Sequence, residues 1–322
     1  MQSFEELSAE FATRFNRRHF PSHPSSLYDP ADYFLSLGGK RVRPVLCLMG
    51  NELFAPIAED AWQLAIAIEL FHNFTLIHDD IMDRAPLRRG MPTVHDKYGS
   101  ATAILTGDVM MVVGYEYISK IGSPHLRRIL HLYNQTAIHV CEGQQLDMDF
   151  ESRERVTMDE YLHMIGLKTS VLLAASLQIG SILGGAGLGN QDKIYQFGKN
   201  LGLAFQIQDD YLDCYATDAA KFGKQVGGDI LANKKTFLLI KTLEMATDAQ
   251  RRRIKELETA APDEKIAGML QLFHDCGVDT WVQELKEHYR QAAYQSLEDI
   301  AVLAKRKEPL RQLADYLLQR DH

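Results

Sequence analysis

Residues 61–83 read AWQLAIAIELFHNFTLIHDDIMD, and this stretch decides the fold class. Over residues 61–77 the side chains are apolar on nearly every side of a helix, and the polar exceptions are Gln63, Glu69, His72, Asn73 and Thr75. A helix that is hydrophobic all round is buried among other elements. The stretch therefore predicts a central helix of a bundle, ending in a group of aspartates.

The rest of the chain also has helical patterning. Residues 102–118 and 170–183 are apolar all round in the same way, and other stretches repeat apolar residues every three or four positions. No sustained two-residue alternation indicates strands, and the breaks are too short for an interdomain linker. We predict an all-α fold, a single large helical bundle over residues 1–322, with a central apolar cavity capped by two Asp-rich motifs.

The overall composition excludes several classes of function. Of the 322 residues, 46% are hydrophobic and 24% are charged, which is typical of a folded globular protein. The formal charge of −8 gives no attraction for nucleic acid or an anionic membrane. We expect no membrane span and no signal peptide, because no apolar run has the required length and flanks. The four cysteines lack disulfide or metal spacing, which favours the cytoplasm.

An Asp-rich pentapeptide occurs twice, as DDIMD at 79–83 and as DDYLD at 209–213. In a helix the first and fifth residues share one face, with Cβ atoms about 6 Å apart. A single copy would equally suit a solvated helix end. Two copies at the ends of apolar helices would create a strong negative field if they face each other, which a hard divalent cation relieves. Because Mg²⁺ combines carboxylates with substrate phosphates, the pattern predicts a magnesium-bridged diphosphate.

Basic residues surround the same regions despite the negative net charge. They are Lys40, Arg41 and Arg43 after the Gly38-Gly39 pair, then Arg88, Arg89, Lys168, Lys224, Lys234 and Lys235. Each alone is typical of a surface cation. The guanidinium fork suits phosphate oxygens, however, and paired glycines let the backbone approach an anion. Together with metal-binding acids, these residues predict a pocket for two diphosphates, one held by metal and one mainly by cations.

The order of these motifs resembles that of the trans-isoprenyl diphosphate synthases, the polyprenyl synthetase family that includes farnesyl and geranylgeranyl diphosphate synthases. The similar segments are GGKRVRP at 38–44, ELFHNFTLIHDDIMD at 69–83, LRRGMPTVHDKYG at 87–99, Lys168-Thr169, FQIQDDYLD at 205–213 and FGKQVGGDILANKKT at 222–236. The resemblance implies an isoprenoid synthase fold and a magnesium-dependent prenyltransferase. Its reaction joins isopentenyl diphosphate to an allylic diphosphate by ionisation, condensation and elimination.

The resemblance also implies a role for each matching residue. Isopentenyl diphosphate is expected to bind Lys40, Arg43, His72 and Arg89. The allylic diphosphate is expected to bind Arg88, Lys168, Lys224 and Lys234. About three Mg²⁺ ions are expected at Asp79, Asp83 and Asp209, with Asp80, Asp210 and Asp213 behind these ligands or on metal-bound water. Thr169 and Gln206 are expected to stabilise the allylic cation. The displaced diphosphate is the expected proton acceptor, and the family is usually homodimeric.

Three departures from relatives bear on these expectations. His72 stands where animal and yeast relatives have glutamine, which makes that phosphate contact titratable. The first pentapeptide lacks the two extra residues of many bacterial farnesyl synthases. The chain ends in LLQRDH rather than in the basic tail of animal relatives, so a C-terminal lid is not predicted.

The residues below Asp79 predict the product length. Thr75 lies about one turn beneath Asp79 on the same face, where relatives that stop at C15 carry a bulky aromatic. Phe74 narrows the channel from one side, and Phe71 lies about 12 Å below Asp79. This geometry favours the C20 product geranylgeranyl diphosphate, with C15 farnesyl diphosphate as the alternative.

Two rival interpretations have other functions. A class I terpene cyclase also uses an Asp-rich motif, but it needs no site for isopentenyl diphosphate. In this chain GGKRVRP and the Arg88-Arg89 pair supply such a site. A non-catalytic subunit of a heteromeric synthase would lack one Asp-rich motif, whereas this sequence keeps both.

Overall fold

The computed structural model describes residues 1–215 and 226–319. These residues are mostly helical, which confirms the predicted all-α class. The helices are α1 (Phe4–Phe15), α2 (Ser25–Ser36), α3 (Val42–Glu52), α4 (Glu59–Met82), α5 (Val94–Tyr98), α6 (Ser100–Ser119), α7 (Leu126–Ser152), α8 (Met158–Ile165), α9 (Val171–Leu183), α10 (Leu188–Tyr215), α11 (Gly228–Leu231), α12 (Phe237–Met245), α13 (Asp248–Leu257), α14 (Pro262–Asp275), α15 (Val278–Glu298) and α16 (Ala304–Leu318). A π-helical segment, Gly166–Ser170, joins α8 to α9. The strands β1 (Leu87–Arg88) and β2 (Met91–Pro92) form an antiparallel hairpin.

The chain divides into two compact units. Unit 1 comprises Met1–Thr136, Leu172–Tyr195 and Leu297–Leu313. Unit 2 comprises the described residues of Ala137–Val171, Gln196–Ser296 and Ala314–His322, which leave out 216–225 and 320–322. Every boundary between the two units falls within a helix. The predicted single domain over residues 1–322 stays a prediction.

Unit 1 is built around α4. The side chains of this helix are buried on nearly every side over residues 61–77, as the sequence predicts. Helices α3 and α6 pack along it, and α2 and α5 contact α6. Helix α3 also approaches α9 closely, because a Cβ on Gly180 would lie 1.9 Å from the Cys47 carbonyl oxygen.

Helix α6 departs from the prediction that it is buried all round. Ile104, Leu105 and Val112 are 46%, 57% and 53% exposed. Their positions follow helical spacing, so the three side chains lie on one face of the helix. The opposite face, which includes Ala103 and Met110, is buried in unit 1. An apolar sequence therefore leaves one apolar face of α6 in contact with solvent.

Unit 2 has its own apolar core, which supports the end of α10. The rings of Tyr161 and Phe237 lie 6.0 Å apart in this core, and Phe273 is buried beside them. Helix α12 packs against α8 and α14, and α14 also contacts α11 and α13. Ile207 and Cys214 of α10 belong to the same core. The second Asp-rich pentapeptide lies between these two anchoring positions.

Within residues 1–215 and 226–319, one helical run is long and apolar enough to cross a membrane by length and composition alone. It covers Met158–Leu183 and has a hydropathy of 1.4 over its most apolar window. Of that window 78% is buried inside the structure. A buried core helix has the same length and composition, so this run is weak evidence for a membrane span.

Candidate active site

The first acidic cluster lies at the C-terminal end of α4. Asp83 follows the last helical residue with φ −77° and ψ −7°, and its N–H donates to the Asp79 carbonyl oxygen at 2.8 Å. Because the backbone stays helical to Asp83, Asp79 and Asp83 share one face as predicted. Asp80 is buried, Asp79 is half-buried and Asp83 is exposed. The predicted metal ligands are therefore the more accessible members of the cluster.

Asp80 forms an ion pair with Arg88 of the hairpin. The Arg88 Nε atom lies 2.8 and 2.9 Å from the two carboxylate oxygens, and a terminal nitrogen lies 2.7 Å from Oδ1. Burial raises the pKa of Asp80, which is 1% exposed, while the Arg88 hydrogen bonds and charge oppose that rise. The pair fixes Arg88 beside the acidic cluster. Arg88, which is predicted to bind the allylic diphosphate, is thus positioned by a carboxylate of the chain itself.

The turn between β1 and β2 determines where Arg89 lies. Arg89 has φ 55° and Gly90 has φ 76°, so both central residues are left-handed, as a type I′ hairpin turn requires. The Arg89 guanidinium donates a hydrogen bond to the Gly38 carbonyl oxygen. Gly39 has a φ of 141°, a backbone conformation that favours glycine, and a Cβ there would lie 2.9 Å from an Arg89 nitrogen. The turn places Arg89 against the glycine pair that precedes Lys40.

Arg43 and His72 are in direct contact in unit 1. A terminal nitrogen of Arg43 donates to Nε2 of His72 at 3.0 Å, and an accepting Nε2 requires a neutral imidazole. Burial lowers the pKa of His72 well below its ordinary value, and the nearby arginines, first among them Arg43, lower it further. The sequence suggests a titratable contact at this position. In the structure the contact is a neutral one, because burial and the arginines disfavour the imidazolium.

Arg41 has a structural role, although the sequence groups it with the phosphate-binding cations. Its backbone is left-handed at φ 52°, and its guanidinium is buried in an ion pair with Glu69. Glu69 also accepts a 2.9 Å hydrogen bond from Asn73. This pairing turns Arg41 inward. Lys40 is exposed and Arg43 is half-buried.

The second acidic cluster occupies the last turns of α10. Asp210 and Asp213 are buried, and Asp209 is half-buried. Tyr161 donates to Oδ2 of Asp210 at 2.6 Å, and Gln206 donates to Oδ1 at 2.8 Å. Burial first, and then the charge of Asp229, raises the pKa of Asp210 to about 7 against the effect of these two hydrogen bonds. A cation bound nearby would lower this pKa and favour the carboxylate.

Asp213 anchors the chain that follows the cluster. The backbone N–H of Asp229 donates to Oδ2 of Asp213 at 2.9 Å, and the N–H of Gly227 donates to the Asp213 carbonyl oxygen at 2.6 Å. The Lys234 ammonium lies 3.8 Å from a carboxylate oxygen of Asp229. Lys234 is therefore close to Asp229, whose backbone N–H contacts Asp213 of the second cluster. Lys224, which is also predicted to bind the allylic diphosphate, lies outside the described residues.

Lys168 and Thr169 lie in the π-helical segment. The Lys168 ammonium donates to Asp147 at 2.6 Å, and the Thr169 hydroxyl donates to Oε1 of Gln206 at 3.0 Å. Thr169 and Gln206, which share a predicted role, are thus in contact. Helix α7 lies very close here, since a Cβ on Gly143 would be 2.3 Å from the Lys168 backbone nitrogen. Single π turns inside α-helices are frequent at functional sites.

Several polar residues to which the sequence assigns no role surround these side chains. Asp147 holds Lys168, Tyr161 holds Asp210, and Asp229 adds negative charge beside Asp210. Gln144 is 8% exposed, and neither amide atom has a hydrogen-bond partner among the described residues. A buried polar group without a partner costs about 1–3 kcal/mol. The stretch CEGQQLDMDF at 141–150 could have identified two of these residues from the sequence, because it places Gln144 and Asp147 one turn apart on α7.

The acidic clusters fit Mg²⁺ by the chemistry of their donors. Among residues 1–215 and 226–319, no three or more His, Cys, Asp or Glu side chains form a group that could hold a metal ion. The side chains of each pentapeptide offer carboxylate oxygens, which are the hard ligands that Mg²⁺ prefers. Besides burial, the charges of Asp229 and Asp209 raise the pKa of Asp210. This crowding of like charge is what a bound divalent cation relieves.

Both the sequence and the structure are similar to those of known proteins. A family model described as polyprenyl synthetase matches residues 24–274. The chain is 38% identical to a geranylgeranyl diphosphate synthase of Methanosarcina mazei, over 94% of this chain and 92% of the relative. It is 36% identical to a geranylfarnesyl diphosphate synthase of Natronomonas pharaonis, over 93% and 91%. A crystal structure of a geranylgeranyl pyrophosphate synthase superposes with a TM-score of 0.94 at 41% identity, covering 99% of each chain.

Proposed function

The chain belongs to the polyprenyl synthetase family, and on that premise we propose that it joins isopentenyl diphosphate to allylic diphosphates, giving mainly the C20 product geranylgeranyl diphosphate. Membership makes the protein a prenyltransferase, in agreement with the motif order of its sequence. We also propose which residues bind each substrate and the metal, and how long the product is.

The observation that supports a C20 product is an aromatic layer below the first acidic cluster. Phe71 and Phe74 are buried with ring centroids 5.5 Å apart, and Tyr133 packs on Phe71 at 5.4 Å. Thr75 lies directly beneath Asp79, and its hydroxyl donates to the His72 carbonyl oxygen at 2.8 Å. Its side chain is small enough to let a prenyl tail pass. Since an isoprene unit spans about one helical turn of 5.4 Å, an aromatic layer about 12 Å down limits the tail to a few units and argues against very long products. Relatives named for geranylgeranyl products favour C20 within this short range.

The proposed chemistry depends on positioning and charge. Asp79, Asp83 and Asp209 would hold Mg²⁺, which would neutralise charge on the leaving diphosphate. The cations Arg88, Lys168, Lys224 and Lys234 bind the allylic diphosphate, and Lys40, Arg43, His72 and Arg89 bind isopentenyl diphosphate. Arg88 and Lys168 are held in place by Asp80 and Asp147.

We propose that Gln206 stabilises the developing allylic cation. Its amide nitrogen donates to Asp210, and its amide oxygen accepts from Thr169, so two hydrogen bonds fix the amide plane. The amide oxygen retains a second lone pair that can point toward positive charge. Isopentenyl diphosphate supplies the attacking double bond. The proton lost afterwards goes to the displaced diphosphate, so no side chain is assigned as general base.

We also propose that the protein is a cytoplasmic homodimer. The apolar face of α6 formed by Ile104, Leu105 and Val112 supports a partner, because a second copy would remove these side chains from water. All four cysteines are free thiols, which supports a reducing compartment. Light scattering after gel filtration would give the mass of a dimer, and a monomer would contradict the assembly.

The test of the function is incubation with labelled isopentenyl diphosphate, Mg²⁺ and one allylic starter of C5, C10 or C15. Chromatography of the dephosphorylated products is expected to give a linear C20 alcohol from each starter. A main product of C15 would favour the farnesyl alternative, and C25 would match the relatives named geranylfarnesyl synthases. A cyclic hydrocarbon, or no incorporation of label, would contradict the proposal.

A further inference from the structure

The segment of residues 227–236 carries three charged residues of unit 2, and two of them, Asp229 and Lys234, contact each other. Its beginning is tied to the second acidic cluster through the Gly227 and Asp229 hydrogen bonds to Asp213. Further along, the Lys234 N–H donates to the Asp229 carbonyl oxygen at 3.0 Å, and Asn233 has a left-handed φ of 55°. The segment is therefore a compact coil in which Asp229 and Lys234 are positioned together.

Lys265 of α14 donates a hydrogen bond to the middle of this segment. Its side chain is 5% exposed, and its ammonium donates to the carbonyl oxygens of Leu231 at 3.0 Å and Glu258 at 3.4 Å. Leu231 is the last residue of α11, and Glu258 is the C-cap of α13. Carbonyls at helix C-termini lack partners inside their own helices. A cation placed there satisfies them and is favoured by the helix dipole.

The residue after Lys265 contacts the beginning of the same segment. A Cβ on Gly227, whose φ is 81°, would lie 2.9 Å from the Ile266 side chain. Helix α14 thus contacts the segment at Gly227 through Ile266 and at Leu231 through Lys265. A cavity of about 30 Å³, lined by Asp229, Lys234 and Lys265 among others, lies beside these contacts.

We propose that Lys265 is a positioning residue for the allylic diphosphate, acting through segment 227–236. This inference rests on the proposed function, in which Lys234 binds that diphosphate. Without the ammonium, the Leu231 carbonyl loses its charged partner and the segment loses one of its two contacts with α14. Asp229 and Lys234 then move together relative to Asp213. A misplacement of about 1 Å can lower a rate about a hundredfold.

The effect is specific to one substrate. Lys40, Arg43, His72 and Arg89, which are proposed to bind isopentenyl diphosphate, belong to unit 1 and take no part in the Lys265 contact. A general loss of stability would instead lower the amount of active enzyme and leave both KM values unchanged. The ratio of the two KM values therefore separates a positioning role from a merely structural one.

The experiment compares Lys265→Met, which keeps the length but not the charge, with Lys255→Met at an exposed position of α13. Steady-state rates are measured with each substrate varied at saturating Mg²⁺. Lys265→Met is expected to raise KM for the allylic diphosphate at least about fivefold and to change KM for isopentenyl diphosphate less than about twofold. Lys255→Met is expected to leave both unchanged.

Two further variants keep the inference testable if Lys265→Met does not fold. Lys265→Arg retains a buried cation and is expected to keep the allylic KM within about threefold of the wild type. Ile266→Ala removes the contact with Gly227, together with some packing on the unit 2 core, and is expected to raise the allylic KM in the same direction as Lys265→Met. Equal changes in both KM values, or none, would overturn the role of Lys265. A wild-type enzyme that forms no linear product would instead contradict the proposed function.

Discussion

The Tyr161 hydroxyl donates a 2.6 Å hydrogen bond to Oδ2 of Asp210, and both side chains are buried in unit 2. Asp210 is therefore held by a donor that the apolar core of α8 fixes in place. Tyr133 in unit 1 presents the opposite case, because its buried hydroxyl has no hydrogen-bond partner among the described residues. A comparison of the two tyrosines therefore separates the contribution of a hydrogen bond to stability from that of a buried aromatic ring.

Replacement of each tyrosine by phenylalanine is expected to have opposite effects on stability. Tyr161→Phe leaves a buried carboxyl group with one donor fewer and should lower the free energy of unfolding by about 1–3 kcal/mol. Tyr133→Phe removes an unpaired hydroxyl and should leave that free energy unchanged or raise it. Urea unfolding followed by circular dichroism measures both. A larger loss for Tyr133→Phe would contradict the assignment of partners.

Removal of a proposed metal ligand is expected to abolish turnover without unfolding the protein. Asp79→Ala and Asp209→Ala each remove a Mg²⁺ ligand, but they also relieve like-charge repulsion, so the helical signal should stay intact. Asp192→Ala, at an exposed position of α10, is the control and should keep full activity. A rate within about tenfold of the wild type for either cluster variant would contradict the metal assignment.

Loss of a proposed isopentenyl contact is expected to change one Michaelis constant selectively. Lys40→Ala and Arg43→Ala should raise KM for isopentenyl diphosphate about tenfold or more, and KM for the allylic substrate much less. Arg43→Ala also removes the donor to His72, so Lys40→Ala is the cleaner variant. The exposed Lys305→Ala serves as the control. If both constants rise equally, the two diphosphate sites are assigned wrongly.

Side chains below Asp79 are expected to set the product length. Thr75→Phe places a ring about one turn beneath Asp79 and should shorten the main product to C15. Phe74→Ala removes a ring that packs on Phe71 at 5.5 Å and on His78 at 4.9 Å, and it should lengthen the product beyond that of the wild type. Product chromatography measures both. An unchanged distribution in both variants would show that the tail does not follow this face of α4.

A half-buried histidine is expected to make the fold less stable in acid. His19 donates to the Phe15 carbonyl oxygen at 2.8 Å and accepts from the Tyr117 hydroxyl at 2.8 Å, as a neutral ring. Burial, the largest influence, lowers its pKa from 6.5 to about 4. Between these values the unfolded chain binds a proton that the folded chain does not, so stability is present above pH 6.5 and is lost as the pH falls toward 4.

The size of this pH effect is measurable with one substitution. A single such group contributes about 1.4 kcal/mol per pH unit within the window. His19→Gln keeps a donor and an acceptor but does not titrate, and it should reduce the loss of unfolding free energy between pH 7.5 and 5 by about 2 kcal/mol. An identical pH dependence in variant and wild type would rule out His19 as the source.

The residues of α4 show how much of the fold could be predicted. Its apolar periodicity over residues 61–77 predicted a buried helix ending in acids, and the structure confirms this arrangement. The same reasoning failed for α6, because an apolar sequence does not reveal whether a face packs inside the chain or remains for a partner. Ile104 and Ala103 are equally apolar, yet only Ala103 is buried.

The contacts of charged residues could not be predicted, because they depend on which acid lies near each cation in space. Arg41 and Arg43 are two residues apart, yet Arg41 pairs with buried Glu69 while Arg43 contacts His72. Asp147 is far from Lys168 along the sequence, and only the close approach of α7 to the π-helical segment brings them together.

The π-helical segment changes the winding of the chain between Tyr161 and Thr169. Eight residues of regular α-helix would turn the second side chain about 80° away from the first. A π turn takes more residues to complete, so it reduces this angular difference. Tyr161 and Thr169 can then both reach α10, where Asp210 and Gln206 lie one turn apart. Deletion of one residue from Gly166–Ser170 would restore regular winding and put these two contacts out of phase.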